Sequence, residues 1–188
     1  MYAGRGRLAG AFGALLRAVP AYLAAFLLLL SCGSRQLVTG DEIFDLERQT
    51  LDMVNGYRIG FGMIDLRWDE SLAEIARAHA RSMASGSRWT SHRCFEYRSL
   101  LAASMMGEGN LWENVGSVLE SDRPVADIIT GWRNSAPHRN AMLCSATLSG
   151  VGAARGDNGE LYVVQLFYQK TMEPNMGLVV RTLGGAFH

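Results

Sequence analysis

The sequence predicts an α+β fold in one domain. Three features lead there. Two helical segments with a single apolar stripe fill the first half of the domain. A third helix opens on a proline, and two alternating strands joined by a tight turn close the pattern. Helices first and an antiparallel pair last is the order of an α+β chain rather than of alternating βαβ units.

The elements follow in order. From Asp41 to about Arg58, Ile43, Phe44, Leu51 and Val54 recur at helical spacing, with Asp41 as the expected N-cap. Gly60 and Gly62 stop that helix, and Met63–Trp68 reads as a short extended piece. Asp69 is placed to cap the next helix. Its stripe runs through Leu72, Ile75, Ala76, His79, Ala80 and Met83 and ends near Gly86. His79 lies on that stripe and reads as a core histidine bonded by a neighbour. Between Arg88 and Asp122 the pattern is weak, so loops are expected there, with a short helical piece near Leu100–Met106. A helix from Asp122 has Pro124 in its first turn, where a missing N–H costs nothing. A short turn of helix follows at His138. Thr147–Arg155 and Glu160–Lys170 read as strands joined by Gly156-Asp157-Asn158-Gly159.

Composition excludes several classes. The chain has 188 residues, 48% hydrophobic and 19% charged, so it is neither a disordered tail nor a polyanion binder. Lys+Arg and Asp+Glu are 18 each, and no nucleic-acid partner is expected from bulk charge. The balance is uneven along the chain. Residues 1–31 hold Arg5, Arg7 and Arg17 and no acid. Without these three, 15 basic residues face 18 acidic ones, a net charge of −3. A domain of the remaining length buries roughly 70% of its unfolded surface.

Those first residues read as an address. An arginine-bearing start leads into the apolar run Ala21–Leu30, as in a secretory signal peptide. The run is shorter than the about 20 residues of a membrane span and follows Pro20, which disfavours a single-span anchor. Leu29-Leu30-Ser31-Cys32-Gly33 resembles the bacterial lipobox. That resemblance implies cleavage before Cys32 and diacylglycerol on its sulfur. The domain plan is therefore a lipoprotein signal peptide at 1–31, a lipid-anchored tether at 32–40, the folded domain at 41–170 and a C-terminal tail at 171–188. The expected location is the bacterial cell envelope, periplasmic or outer surface, with the membrane as a partner through the anchor.

G-x-S-x-G, H-E-x-x-H and P-loop patterns do not occur, and Lys170 is the one lysine. What does occur is a set of short stretches: Asn55-x-x-Arg58, Leu66-x-Trp68-Asp69-x-x-Leu72, Ala78-His79-Ala80, Ser91-His92, Glu113-Asn114-Val115-Gly116, and Trp132-x-x-Ser135-x-x-His138-Arg139-Asn140. In this order they resemble the CAP superfamily, or SCP-like domain, of cysteine-rich secretory, antigen 5 and pathogenesis-related 1 proteins, in its bacterial branch. The resemblance covers about Asp41–Lys170. It implies an α-β-α sandwich with a small antiparallel sheet between helices, and an open cleft with two histidines and two acids.

Residue by residue, His92 and His138 match the histidines and Glu113 matches the first acid. Glu108 competes for that role. Ser135 stands where many members carry the second acid, and Trp112 stands where glycine is usual. The implied cleft set is thus His92, Glu113, Ser135 and His138, taking a small ligand or a lipid. Neutral imidazoles are also ligands for zinc or another divalent metal, with His92 and His138 as donors and the carboxylate orienting a ring. No cofactor is required by the pattern. Histidine titrates near neutrality and could serve as a general base, so a hydrolase or protease is the alternative reading. A third is a structural or partner-binding envelope protein whose polar residues only hold loops. For Ser135 the competing role is a cap for the short helix after it. Cys94 and Cys144 follow the two histidines closely. If those converge on one cleft, a Cys94–Cys144 disulfide is expected in an exported protein.

Overall fold

The computed structural model describes residues 40–86 and 91–171. The expected signal peptide, Cys32, the tether up to residue 39 and the tail from residue 172 lie outside these residues. The elements are α1 (Gly40–Ile59), β1 (Arg67–Trp68), α2 (Glu70–Ala84), α3 (Phe95–Met106), β2 (Gly109–Val118), α4 (Pro124–Asn134), α5 (Ala136–Met142), β3 (Leu148–Arg155) and β4 (Leu161–Lys170).

The four strands form one sheet in the order β1-β3-β4-β2. β4 is antiparallel to both neighbours, while β1 pairs parallel with β3 through Arg67↔Leu148 and Trp68↔Ser149. The sheet is therefore antiparallel in its three long strands, as the resemblance implied, and mixed through the two-residue β1. Alternation along β4 divides the core. Leu161, Val163 and Phe167 face α1, α4 and α5. Val164, Leu166 and Tyr168 face α2 and α3. The result is a helix layer on each side of a sheet.

α1 begins one residue earlier than the sequence predicts. Asp41 sits inside its first turn, where its charge favours the helix dipole, and is not the N-cap. Asp69 does cap α2, accepting the Leu72 N–H at 3.0 Å. α2 lies backbone to backbone on β3. A Cβ on Gly150 would fall 2.1 Å from Ala73 N, and one on Gly152 would fall 2.0 Å from Arg77 N.

Two buried charges tie the layers. Glu47 of α1 receives Arg77 Nε at 3.0 Å on both oxygens, Arg77 Nη2 at 2.7 Å and the Ala153 N–H at 3.0 Å. Arg58 donates to the carbonyls of Met142 at 2.7 Å, Cys144 at 2.9 Å and Ala146 at 3.1 Å, closing the chain after α5.

The weakly patterned stretch holds more structure than the sequence predicts: the helical piece expected near Leu100–Met106 begins earlier, at Phe95, and the ten-residue strand β2 follows it. α3 has no apolar stripe because it buries Arg98 and Ala102 and exposes Tyr97, Leu100 and Met105. β2 shows no alternation because glycines fill its tight points. A Cβ on Gly109 would meet the Tyr168 ring and Gln169 O at 2.5 Å.

Candidate functional site

β2 is an edge strand, and its adjacent residues Glu113 and Asn114 turn to opposite faces. Glu113 turns to the α2/α3 side. There Arg98 donates Nε to Oε2 at 2.6 Å and Nη2 to Oε1 at 2.7 Å, a two-pronged guanidinium–carboxylate pair. Both side chains are buried, at 6% and 1% exposure. Arg98 Nη1 also donates to Arg93 O at 2.8 Å, which holds the chain between His92 and α3.

The same carboxylate reaches His92, whose Nδ1 lies 3.0 Å from Glu113 Oε1. A carboxylate only accepts, so Nδ1 carries the proton and Nε2 of the neutral ring holds the lone pair. His92 is half exposed. His79 contributes from beneath. It is buried on α2, as its place on the stripe predicts, and donates Nε2–H to Ser91 O at 2.8 Å.

On the other face Asn114 donates Nδ2 to His138 O at 3.1 Å. The His138 ring centroid lies 5.8 Å from that of His92 and 6.5 Å from that of Trp132. Burial, and then the nearby His92, lower the His138 pKa below its ordinary 6.5. The site thus joins one histidine from each helix layer beside the edge strand.

Two grooves border the pair. One of about 500 Å³ is lined by His92, Phe95, Leu111, Trp112, Glu113 and Pro137 among others. Another of about 360 Å³ is lined by Val115–Val118, Trp132, Ser135 and His138 among others. The four expected cleft residues are therefore split: His92 and Glu113 open to the first groove, Ser135 and His138 to the second. Ser135 occupies the N-cap position of α5 but makes no side-chain cap bond. Glu108 is exposed and stands outside both grooves. Arg98 was missed by sequence reasoning. Its signal was a lone basic residue inside the helix Phe95–Met106.

The expected Cys94–Cys144 disulfide is absent. Cys94 is exposed at the start of α3. Cys144 is buried in the α1/α4/α5 core, where burial pushes its thiol pKa up. The convergence of the histidines does not carry the cysteines together.

Zinc fits poorly. Among the described residues no group of three or more His, Cys, Asp or Glu is placed to hold a metal. Both oxygens of Glu113 are engaged by Arg98, which leaves two imidazoles as donors, fewer than the three protein ligands of catalytic zinc sites.

Comparison with known proteins now adds to this geometry. The family profile described as CAP, the cysteine-rich secretory protein family, matches residues 51–167. The chain belongs to the CAP family. Over 114 residues it is 35% identical to the uncharacterized membrane protein YlbC of Bacillus subtilis, covering 58% of this chain and 32% of that one. This chain thus spans about a third of the length of that relative. Among solved structures, an outer surface protein of Borrelia burgdorferi matches with a TM-score of 0.57 at 17% identity, over 66% of this chain and 92% of that one. An extracellular SCP-domain protein of Bacillus anthracis matches with a TM-score of 0.55 at 20% identity, over 70% of this chain and 44% of that one. These likenesses show a CAP fold. Within this CAP domain, Trp112 is a wall of the first groove, and Ser135 lines the second. No helix among the described residues is long and apolar enough to cross a membrane.

Proposed function

We propose that this CAP-domain protein is an exported binding module, held at the bacterial cell envelope by lipid on Cys32, and that its first groove takes a ligand at His92. One observation carries the reading: the chain Arg98–Glu113–His92. Buried Arg98 fixes the carboxylate, the carboxylate fixes the Nδ1 proton, and the remaining nitrogen Nε2 is left to accept a hydrogen bond beside apolar walls from Phe95, Leu111, Trp112 and Pro137. Concave apolar sites with a few fixed polar groups are where ligands bind. Export is supported by the arginine-led apolar run and the lipobox-like Cys32, and by relatives named as membrane, outer surface and extracellular proteins.

A second reading rests on the same bond. A carboxylate-oriented imidazole is a general base in waiting, and a water on His92 Nε2 would serve a hydrolase.

The test is calorimetry on the intact chain in mild detergent, with zinc and with a panel of small amphiphiles and short peptides, beside His92→Ala and His138→Ala. Binding of an organic probe that is lost in His92→Ala supports the module. Micromolar zinc binding lost in both variants would replace it with a metal site. Turnover of a peptide or ester that vanishes in His92→Ala would replace it with the hydrolase. No binding at all, with both variants markedly destabilised, would reduce these residues to a structural network.

A further inference from the structure

One wall of the first groove is the outer edge of β2, at Leu111 and the largely buried Glu113. β2 pairs with β4 on one side, and no described strand pairs with its other side. Three contacts fix which residues turn outward. The Thr171 N–H donates to Glu108 O at 2.8 Å, so Glu108 faces β4, and by alternation so do Asn110, Trp112 and Asn114. Tyr168 O accepts the Thr147 N–H at 3.1 Å on the β3 side, so Leu111, opposite Tyr168, is not bonded through β4. The Trp132 indole donates to Val115 O at 3.1 Å, which places that carbonyl on the outer side. The outward set is therefore Gly109, Leu111, Glu113, Val115 and Ser117, of which Leu111, Glu113 and Val115 form its middle. Trp132 covers the last, whereas Leu111 and Glu113 line the groove. Their N–H and C=O groups form a short ladder of alternating partial charge between α3 and α5.

We propose that this edge is a strand-addition site and that the ligand of the groove is an extended peptide. The inference rests on the groove being a binding site and narrows what it binds. Complementarity of partial charge argues for the occupant. Donors and acceptors repeating along an extended backbone are matched in sequence by another extended backbone, whereas a compact molecule satisfies one or two of them. The walls argue for its side chains. Residues of an added strand alternate between Phe95 on the α3 side and Trp112, Pro137 and Ala141 on the α5 side, so apolar residues at alternate positions fit. His92 stands at the same edge and would accept from a backbone N–H or a polar side chain of the peptide.

The test screens a pooled library of short peptides with alternating apolar positions against the intact chain in detergent. Amide hydrogen exchange is then followed at Leu111 and Glu113. Protection of both amides on binding is expected. N-methylation of the peptide nitrogens that face β2 should weaken binding about tenfold or more, and methylation of the intervening nitrogens should not. Leu111→Pro removes an outward N–H and leaves the β4 ladder intact, so it should cost similar affinity, while Leu111→Ala, which gives up the same apolar packing against the α2/α3 core but keeps the N–H, should lose less affinity than Leu111→Pro, and Leu111→Val retains binding. Peptides that bind with no protection at Leu111 and Glu113 would overturn strand addition. Amphiphile binding lost in His92→Ala, with no peptide bound, would overturn it and leave the binding module standing. No ligand of any kind would overturn both. Amides already protected in the intact chain and released by deleting residues 172–188 would assign the edge to the chain's own tail.

Discussion

Arg98 and Glu113 meet as a buried fork, 2.6 and 2.7 Å apart along its two prongs, and His92 hangs from the same carboxylate at 3.0 Å. The stability of α3 against the sheet and the orientation of the groove histidine therefore depend on one guanidinium. Removing it strands a buried carboxylate. Arg98→Ala is expected to cost about 3–5 kcal/mol in urea unfolding, because the partner charge is left without compensation. Arg98→Lys should recover part of that and lose the fork. A change below about 1 kcal/mol would mean that Glu113 finds another partner.

His138 predicts a pH dependence. Its pKa is lowered in the fold, so the unfolded chain binds more protons there than the native one. Stability contributed by the neutral ring is complete above the unfolded value of 6.5 and is lost as pH falls below it toward the folded value. Thermal midpoints should fall on acidification across that window and fall less in His138→Gln. Ring-proton NMR should find His138 titrating below 6.5.

Gly152 predicts an intolerance of one methyl group. A Cβ there would sit 2.0 Å from Arg77 N and 2.2 Å from Ala76 C, against helix backbone with no flexible side chain to yield. Gly152→Ala is expected to cost about 1–3 kcal/mol or more, read as a lowered melting temperature with unaltered groove chemistry.

The cysteines predict unequal labelling. Under native conditions a thiol reagent should modify Cys94 and spare Cys144, which is buried and held protonated. Denaturant should expose Cys144. Mass spectrometry of digested protein checks both, and a Cys94–Cys144 crosslinked peptide would contradict the structure.

Much of this fold was legible. α2 announced itself by a full apolar stripe and a capping aspartate, and β3 and β4 by alternation about a glycine-bounded turn. Of α3 only the second half, near Leu100–Met106, was legible, and β2 was not, for opposite reasons. α3 hides a charge and shows apolar residues to solvent, which inverts the pattern that marks a buried face. β2 is a strand made of glycine, asparagine and serine as much as of β-formers, held by its neighbour rather than by propensity. The motifs pointed to His92, Glu113 and His138, and the structure brings the two imidazoles together. They could not point to Arg98 or Glu47. Each acquires its meaning from a partner 15 or 30 positions away that only the fold brings near.

The opposed facing of Glu113 and Asn114 bears on how such a domain can diverge. A residue inserted in β2 ahead of Glu113 would carry every later side chain to the wrong face. The guanidinium of Arg98 would then meet the inserted residue in place of its carboxylate, and the backbone of α5 would meet that carboxylate. Exchanging Phe95, Trp112 or Pro137 alters only what the groove accepts, and the Gly156–Gly159 turn can lengthen without touching the site. Descendants of this frame are expected to vary freely in groove lining and turn length while the residue count of β2 stays fixed.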